Sequence, residues 1–266
     1  MTKFRHTLLA AALGVSATTA VAANWSDTEV QLLHGTDFQE PFNDRDVTKT
    51  ILTLTHASGH DYGGNFFFVD FIKSDRADNN EQEVYGEWYT SLSLSKLSGK
   101  TIGGGPLKDV SATFGINAGS KTNGARPRVF LPGVTLHLDV PGFAFFNVDV
   151  LAYMDRGKFD GADNCGEGKN TYQITPAWLL PFQIGQAKFQ FTGFIDFIGA
   201  HGNCKAQILT QPQLRLDVGS FFGKPDTMYA GLEYQYWKNK YGGSKNGPSI
   251  ANKKDNFAQL LLTWKF

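Results

Sequence analysis

The sequence predicts an all-β fold, a closed antiparallel transmembrane β-barrel of about twelve strands, and three observations support this prediction. Apolar and polar residues alternate along almost the whole chain, in segments of about ten residues or more. Aromatic residues gather near the ends of these segments, and the last residue is Phe266. The N-terminus has the layout of an export signal. Together these features indicate an exported barrel with an apolar outer surface and a water-filled lumen.

The export signal also sets the domain boundaries. Two basic residues, Lys3 and Arg5, precede the apolar stretch 8–15, and an Ala-x-Ala cleavage motif follows it. We expect cleavage after residue 22 or one residue later, so that 1–22 is a signal peptide and 23–266 is one barrel domain. A membrane anchor is the weaker interpretation, because the apolar stretch is shorter than the ~20 residues that a spanning helix needs.

The charge balance excludes one class of partner. Without Lys3 and Arg5, 23 basic side chains stand against 25 acidic ones, and charged residues make up only 19% of the chain. A chain without a basic excess has no electrostatic footprint for nucleic acid. We therefore expect no nucleic-acid partner, and the sequence calls for no cofactor.

The C-terminal segment NFAQLLLTWKF shows the alternation most clearly. Leu260, Leu262 and Trp264 fall on one face of a strand, and Gln259 and Thr263 fall on the other. A soluble sandwich would alternate as well, but its strands are usually shorter than these. Lipid also requires closure, since an open sheet edge would leave unpaired backbone groups in hydrocarbon.

Counting the alternating segments predicts twelve strands, with long outer loops and short periplasmic turns. An even number of strands places both termini at the periplasmic rim, in the outer membrane of a Gram-negative bacterium. The predicted strands lie near residues 26–36, 48–57, 64–74, 82–95, 109–119, 127–140, 144–156, 171–182, 187–199, 207–219, 226–240 and 256–266.

Carboxylates inside phenylalanine-rich segments indicate which face of each strand meets water. In FTGFIDF, Asp196 needs a wet side, because an unpaired carboxylate in a dry core costs several kcal/mol. If Asp196 and Phe194 face the lumen, Phe191 and Phe197 face lipid. NFFFVDF and FNVDVLAY follow the same rule. The inward set predicted in this way includes Phe66, Phe68, Asp70, Glu83, Tyr85, Glu87, Tyr89, Asn147, Asp149, Tyr153, Thr192, Arg215, Glu233 and Trp237.

Five segments carry a family resemblance: FFFVD, SLSKLSGKTIGGGPLKD, GVTLHLDVPGF, TYQITPAWLLPF and FTGFIDF. In this order they are similar to the nucleoside-specific outer-membrane channel family, the Tsx-like channels. One departure is the run Gly103–Pro106, where the family pattern has an aromatic residue before Gly-Pro. The resemblance implies a monomeric barrel, surrounded by outer-membrane lipid and lipopolysaccharide, that passes nucleosides. In some members it also implies an outer surface used by phages.

The chemistry of the lumen suits a nucleoside independently of the resemblance. A base has a flat face that stacks on aromatic rings, and its edges and the ribose hydroxyls need hydrogen-bond partners. An excess of acids also disfavours anions such as nucleotides. Alternatively, the aromatic rings plug the lumen and the acids pair with Arg215 or His137 for structural reasons. The residues predicted to contact solute are Phe66, Phe68, Asp70, Glu87, Asp149, Tyr153, Phe194, Asp196, Arg215 and Glu233.

Two other functions are consistent with a barrel. A lipid hydrolase would need a Ser and His pair facing lipid near the outer leaflet. The segment HASGHD, with His56, Ser58, His60 and Asp61, falls at a periplasmic turn, which is the wrong depth, and two histidines in one turn are a weak metal motif. We therefore expect neither an enzyme nor a metal site. The remaining alternative is a plugged structural or surface-recognition barrel.

The two cysteines are predicted to form a disulfide bond. Cys165 falls in the outer loop between strands seven and eight, and Cys204 in the loop between strands nine and ten. These loops are neighbours on one rim, and the oxidising periplasm favours bonding of exported thiols. Free thiols are the alternative.

Overall fold

Each alternating segment forms a strand of one antiparallel sheet in the computed structural model, which describes residues 23–158, 165 and 168–266. The predicted signal peptide lies outside the described residues. The strands are β1 Trp25–Gln39, β2 Asp46–His60, β3 Gly63–Ser74, β4 Gln82–Ser93, β5 Leu107–Lys121, β6 Arg128–Leu138, β7 Phe145–Asp155, β8 Asn170–Ile184, β9 Ala187–Ile198, β10 Gln207–Thr210, β11 Gln213–Asp217, β12 Met228–Lys238 and β13 Lys254–Lys265.

The sheet closes on itself. Successive strands pair with one another, and the first strand pairs with the last, so that Leu33 on β1 lies opposite both Ile51 on β2 and Leu261 on β13. Closure leaves no free sheet edge, which satisfies the backbone hydrogen bonds of every strand within the barrel. The predicted fold class, a closed antiparallel barrel of twelve strands, is confirmed.

The thirteen strand segments make twelve barrel strands because the tenth strand is broken. The predicted strand 207–219 is β10 and β11, which are separated by Gln211 and Pro212 and both pair with β9 and β12. Proline has no N–H to donate to the ladder, so the pairing stops there. The neighbouring strand provides room, since a Cβ on Gly193 would lie 2.7 Å from the Cα of Pro212.

The fourth strand is shorter than predicted. It ends at Ser93 and not at residue 95, because the chain turns into the short helix α1, Leu94–Ser98. Ser93 caps this helix by accepting a hydrogen bond from the Lys96 backbone N–H. Asp109 at the start of β5 accepts hydrogen bonds from the Ser93 and Ser95 hydroxyls and fixes the turn.

The connections differ in length between the two rims. The rim that holds Trp25 and Phe266 is called the terminal rim, and the other the distal rim. The distal rim carries connections 40–45, 75–81, 122–127, 156–169, 199–206 and 239–253. The terminal rim carries 61–62, 94–106, 139–144, 185–186 and 218–227. The prediction of short turns at the terminal rim is wrong for 94–106 and 218–227, which contain short helices.

Burial is inverted relative to a soluble protein. On β13, Leu260 and Leu262 point outward and are 64% and 56% exposed, whereas Gln259 and Thr263 point inward and are 2% and 3% exposed. The outer face is thus an apolar belt and the interior is rich in polar side chains, as the alternation predicted. None of the helices in the described ranges is long and apolar enough to cross a membrane.

Exposed aromatic side chains mark both rims. Trp25, Tyr62, Phe222 and Phe266 are exposed at the terminal rim, and Tyr172 is exposed near the distal rim. Rings at these heights match the aromatic girdles that meet the two membrane interfaces in transmembrane barrels.

Apolar side chains also pack inside the barrel, in two separate clusters. One cluster contains Leu33, Phe38, Val47, Ile51, Phe257 and Leu261. The other contains Val129, Leu131 and Leu151, with Tyr89 and Tyr153 packed against it. Two clusters on different walls narrow the lumen and leave the polar side chains in the space between them.

Candidate functional site

Most of the residues predicted to contact solute line one cavity inside the barrel, whereas Phe66, Asp149, Arg215 and Glu233 lie outside its lining. The cavity has a volume of about 180 Å³. This is smaller than the roughly 300–1,000 Å³ of common ligand pockets, so the lumen has little free volume. Six of the ten residues predicted to contact solute line the cavity: Phe68, Asp70, Glu87, Tyr153, Phe194 and Asp196.

Two of the predicted carboxylates, Asp149 and Asp196, belong to a row in which threonine and aspartate alternate across strands β6 to β9. The Thr135 hydroxyl donates to Asp149 at 2.6 Å, and the Thr175 hydroxyl donates to Asp196 at 2.5 Å. Asp149 itself lies opposite Thr175. Gln173 donates a further bond to Asp196 at 3.1 Å. Strand register therefore sets both aspartates on one wall of the passage.

The other two carboxylates are on β3 and β4. Asp70 accepts a hydrogen bond from the Thr53 hydroxyl at 2.6 Å. Glu87 accepts bonds from the Tyr85 hydroxyl at 2.6 Å, the Tyr89 hydroxyl at 2.9 Å and an amide. Neutral hydroxyl donors hold each carboxylate in place.

No lysine or arginine pairs with these four carboxylates among the described ion pairs. Structural pairing of an inward acid with Arg215, the alternative interpretation, occurs for Glu29, whereas no described ion pair joins Arg215 or His137 to these four carboxylates. Arg215 pairs with Glu29, and His137 bonds Ser111 and Asn147. We call Asp70, Glu87, Asp149 and Asp196 the acidic ring. Rings of carboxylates favour cations over anions in a passage.

Aromatic side chains lie beside the acidic ring. The Phe66 and Phe68 rings are 6.3 Å apart, and the Phe68 and Tyr85 rings are 6.1 Å apart, which makes a continuous aromatic strip along β3 and β4. Phe66 lies outside the lining of the cavity and is 39% exposed. On β9, Phe194 lines the cavity, whereas Phe197 points outward. The facing rule from the sequence is followed on both strands.

The two remaining predicted residues are engaged in a network nearer the terminal rim. Arg215 donates two bonds to the Glu29 carboxylate, at 2.9 and 3.0 Å, and a third to Gln213. Glu233 accepts from Gln213 at 2.6 Å and from Gln259 at 2.7 Å. Arg215 is thus held by a buried ion pair with Glu29, and Glu233 is held by hydrogen bonds. Both predicted residues therefore stabilise the barrel wall.

Apart from Glu83, the residues that close the distal end of the lumen were not identified from the sequence. Lysines and carboxylates alternate there as ion pairs: Lys49 with Glu40 at 2.7 Å, and Lys121 with Glu83 at 3.1 Å. We call the distal cluster Glu40, Lys49, Asp78, Glu83, Lys121, Lys240 and Asp255. Asp255 could have been found from its inward position in the alternation of β13. Lys240 gave no signal, because it lies in a polar loop.

Lys240 has the most buried side chain among the three lysines of the distal cluster. Its side chain is 2% exposed, and its Nζ lies 2.8 Å from Glu40 and 2.9 Å from Asp255. Burial opposes ionisation of Glu40, but the charges of Lys240 and Lys49 outweigh burial and hold its pKa well below the usual range. Burial opposes the charge of Lys240 as well, yet the two carboxylates raise its pKa above the usual range.

Connection 239–253 carries Lys240 into the mouth of the barrel. Next to it, the Tyr241 ring packs at 4.5 Å from the Trp237 ring and 3.9 Å from the Lys121 ammonium. Asn239 and Tyr241 both have positive φ, at 51° and 55°, which non-glycine residues rarely adopt. The inward turn is therefore strained and must be held by its contacts.

A disulfide bond covers this turn. Cys165 and Cys204 are joined with a Cα–Cα distance of 4.7 Å, which ties connection 156–169 to connection 199–206. Gly242 fits beneath the bond, where a Cβ would lie 2.7 Å from the Cys204 sulphur. The Lys205 backbone N–H also donates to the Gly242 carbonyl at 2.8 Å. Three distal connections are thus packed together.

The HASGHD segment does not assemble a catalytic group. His56 points outward, bonds the Thr28 hydroxyl and stacks on Phe67. His60 accepts from the Tyr62 backbone N–H, and no described hydrogen bond joins Ser58 to either histidine. Within the described ranges, no group of three His, Cys, Asp or Glu side chains could hold a metal ion.

Comparison with known proteins adds a likeness of overall shape. No protein-family model matches the sequence, and no curated protein matches it. The resemblance to nucleoside channels therefore remains a prediction. Three solved structures resemble the barrel: "KdgM porin" (7% identity, TM-score 0.43, covering 91% of this chain and 98% of that chain), the β domain of the Bordetella autotransporter BrkA (9%, 0.39, 92% and 99%), and a "bacterial polysaccharide outer membrane secretin" (9%, 0.42, 92% and 99%). All three TM-scores are below 0.5, so no correspondence between residues follows.

Proposed function

We propose that the chain is a bacterial outer-membrane channel through which small neutral or cationic solutes diffuse, with nucleosides as the specific candidate. The observation that carries this proposal is the acidic ring, which lies beside an aromatic strip inside a closed barrel and has no basic partner. Four carboxylates without counter-charges stabilise little as structure, because their desolvation is not repaid by ion pairs. They suit a passage that solutes cross.

The outer surface supports the location. Large exposed apolar patches on a protein mark an interface with a partner or a membrane, and here the apolar belt surrounds the barrel. An antiparallel barrel with such a belt, girdled by aromatic rings, fits a bilayer. We infer residence in the outer membrane of a Gram-negative bacterium, as a monomer in contact with lipid and lipopolysaccharide.

Nucleosides fit the chemistry of the lumen. The base can stack on Phe68 or Phe194, and its amino groups and the ribose hydroxyls can donate to Asp70 and Asp196. Nucleotides carry phosphate charges that the acidic ring repels. The family resemblance in the sequence points to the same solute class.

Liposome swelling tests this assignment directly. Vesicles containing the purified barrel are placed in isotonic adenosine, thymidine, a neutral hexose or adenosine monophosphate. We expect the nucleosides to enter faster than the hexose, and the nucleotide to enter slowest. Equal rates for all four solutes would remove the nucleoside assignment while leaving a general pore, and no swelling would contradict a channel.

A plugged barrel for surface recognition is the second candidate. The small cavity and the inward connection 239–253 favour it. In that case the disulfide-linked distal surface would be the functional part, for example as a phage attachment site. Planar bilayers separate the two functions, because a plugged barrel inserts without conducting.

A further inference from the structure

The Lys240 ammonium occupies a site with the features of a cation-binding cage. Two carboxylates, Glu40 and Asp255, contact its Nζ at 2.8 and 2.9 Å. Three aromatic ring centroids, those of Phe38, Trp237 and Tyr241, lie 5.5 to 5.6 Å from the same atom. An ammonium within about 6 Å of aromatic ring centroids is attracted to the ring faces, and carboxylates add charge-assisted hydrogen bonds, so the combination suits an alkylammonium group.

The barrel wall builds most of this cage without the loop. A β-bulge in β1, between Gly35 and Phe38, shifts the register so that Phe38 turns inward and Glu40 follows it. Asp255, at the start of β13, is fixed by hydrogen bonds from the Gln39 backbone N–H at 2.8 Å and from the Gln235 amide at 3.3 Å. The cage therefore persists when the loop leaves, except for Tyr241.

The charge balance of the wall also favours a cation. Without Lys240, the distal cluster contains four carboxylates, those of Glu40, Asp78, Glu83 and Asp255. Only two lysines, Lys49 and Lys121, remain to balance them. Asp255, which is fully buried, would then have no basic partner. A buried carboxylate without a counter-ion is costly, so the empty cage would attract an ammonium from solution.

The loop reaches the cage in a strained conformation. Asn239 and Tyr241, on either side of Lys240, both have positive φ. The Lys240 backbone N–H donates to the Lys253 carbonyl at 3.0 Å, which anchors the base of the loop, and its inner end is held by the ammonium together with the Tyr241 ring and the Lys205–Gly242 hydrogen bond. The lysine is thus one of the contacts that offset the strain of the inward turn, and the one that reaches the cage.

We propose that the distal mouth contains a binding site for small primary alkylammonium ions, and that Lys240 occupies it as a tethered ligand that narrows the channel. This inference rests on the proposed channel function for its effect on conductance. It deepens that function, because it adds cationic amines to the solutes that the pathway recognises. Free ammonium ligands would compete with the tethered one whenever the loop lifts.

Chemical rescue of Lys240→Ala tests the proposal. The atoms removed by this change are those of n-propylammonium, which is used as the probe from the distal side of a planar bilayer. We expect Lys240→Ala to raise single-channel conductance several-fold over the wild type, and propylammonium to return it toward the wild-type value. Propan-1-ol at the same concentration, which lacks the charge, should leave conductance unchanged.

Lys245→Ala is the matched control, because Lys245 is an exposed lysine of the same loop whose ammonium donates to the Gly202 carbonyl at 3.0 Å and is not in the cage. It should conduct like the wild type and show no effect of propylammonium. Wild-type conductance in Lys240→Ala would overturn the tethered ligand. If Lys240→Ala has a raised conductance that propylammonium does not lower, or lowers no more than it lowers that of Lys245→Ala, the ammonium site is overturned.

Thermal unfolding separates this proposal from the proposed function. Propylammonium should raise the midpoint of heat-modifiable migration of Lys240→Ala but not of Lys245→Ala, whether or not the barrel conducts. The absence of that shift overturns the ammonium site even if nucleosides pass. If Lys240→Ala forms no heat-modifiable barrel, refolding with propylammonium decides: recovery supports the site, and failure to recover overturns it.

Discussion

At the residue scale, the facing of each side chain follows from period two, and this rule identified the wall of the passage. Asp196 points inward and accepts two hydrogen bonds, while Phe197 beside it is 40% exposed on the outer face. If β9 slipped by one residue relative to its neighbours, Asp196 would face lipid and Phe197 would face the lumen. Because that exchange is costly, the burial pattern fixes the register between neighbouring strands.

Phe194→Ala should weaken nucleoside block of the channel. Stacking of a base on one aromatic ring is worth ~1 to 3 kcal/mol, so the block constant should rise about 5- to 150-fold. Single-channel recordings with adenosine measure this constant. Phe197→Ala removes the same ring from the lipid-facing side of β9 and should leave block unchanged. Equal effects of the two substitutions would show that the ring of Phe194 is not part of the pathway.

Asp196→Asn should reduce cation selectivity. The substitution keeps an oxygen that can accept from Thr175 but removes one of the four charges of the acidic ring, so the preference for potassium over chloride should fall. The reversal potential in a potassium chloride gradient measures this preference and should move toward zero. Asp61→Asn changes an exposed carboxylate in the turn at the terminal rim and serves as the control. An unchanged reversal potential in Asp196→Asn would exclude the ring as the selectivity element.

At the scale of the strand, close packing of aromatic rings on glycine holds the lumen wall. A Cβ on Gly115 of β5 would lie 2.4 Å from the Tyr89 ring, whose hydroxyl donates to Glu87. Gly115→Val should therefore destabilise the barrel by about 1 to 3 kcal/mol, as overpacking commonly does. The midpoint temperature of heat-modifiable migration reports the loss.

Ala118→Val places the same side chain on the outward face of β5, where residue 118 is exposed. It should keep the midpoint of the wild type. A midpoint in Gly115→Val equal to that of Ala118→Val would mean that Tyr89 does not pack on Gly115, and that Glu87 is positioned in another way.

The distal mouth should not respond to pH in the physiological range. Because the pKa of Glu40 is lowered, its stabilising charge is present above the ordinary carboxyl pKa and is lost only as pH falls well below it. Because the pKa of Lys240 is raised, its contribution is present below the ordinary lysine pKa and is lost only as pH rises above it. The ratio of Lys240→Ala conductance to wild-type conductance, which isolates the mouth from the other carboxyls of the lumen, should thus be constant from about pH 5 to pH 9. A step in that ratio inside this window would contradict the ion pairs as the closure of the mouth.

The order of the strands was predictable from the sequence, whereas the breaks and bulges within strands were less predictable. Alternation located every barrel strand, because each strand is amphipathic over its whole length. The break at Pro212 was visible as a proline within a strand pattern, and its consequence for pairing follows from the missing N–H. The bulge that turns Phe38 inward gave no signal, because bulges depend on which residues meet across two strands.

The distal cluster shows why the rest of the site was not predictable. The Lys240 ammonium meets Glu40, which is 200 residues away in the chain, and Asp255, which lies on the following strand. No local pattern distinguishes a loop lysine that turns into a barrel from one that points to water. Only closure of the barrel brings the start and the end of the chain to one wall.

At the scale of the whole molecule, the central claim is that a solute pathway crosses a closed membrane barrel. The apolar belt, the aromatic rims and the polar interior are consistent with one another, and each follows from the same alternation. The narrow cavity and the packed distal connections oppose the claim, since they also suit a plug. Conductance distinguishes the two directly.

Single-channel recording of the folded wild-type barrel, in potassium chloride with and without adenosine, is the most direct test. The pathway through the acidic ring predicts small, cation-selective current steps that adenosine blocks in a concentration-dependent way. Heat-modifiable barrels that insert into the bilayer and carry no current, or that carry an anion-selective current unaffected by adenosine, would contradict it.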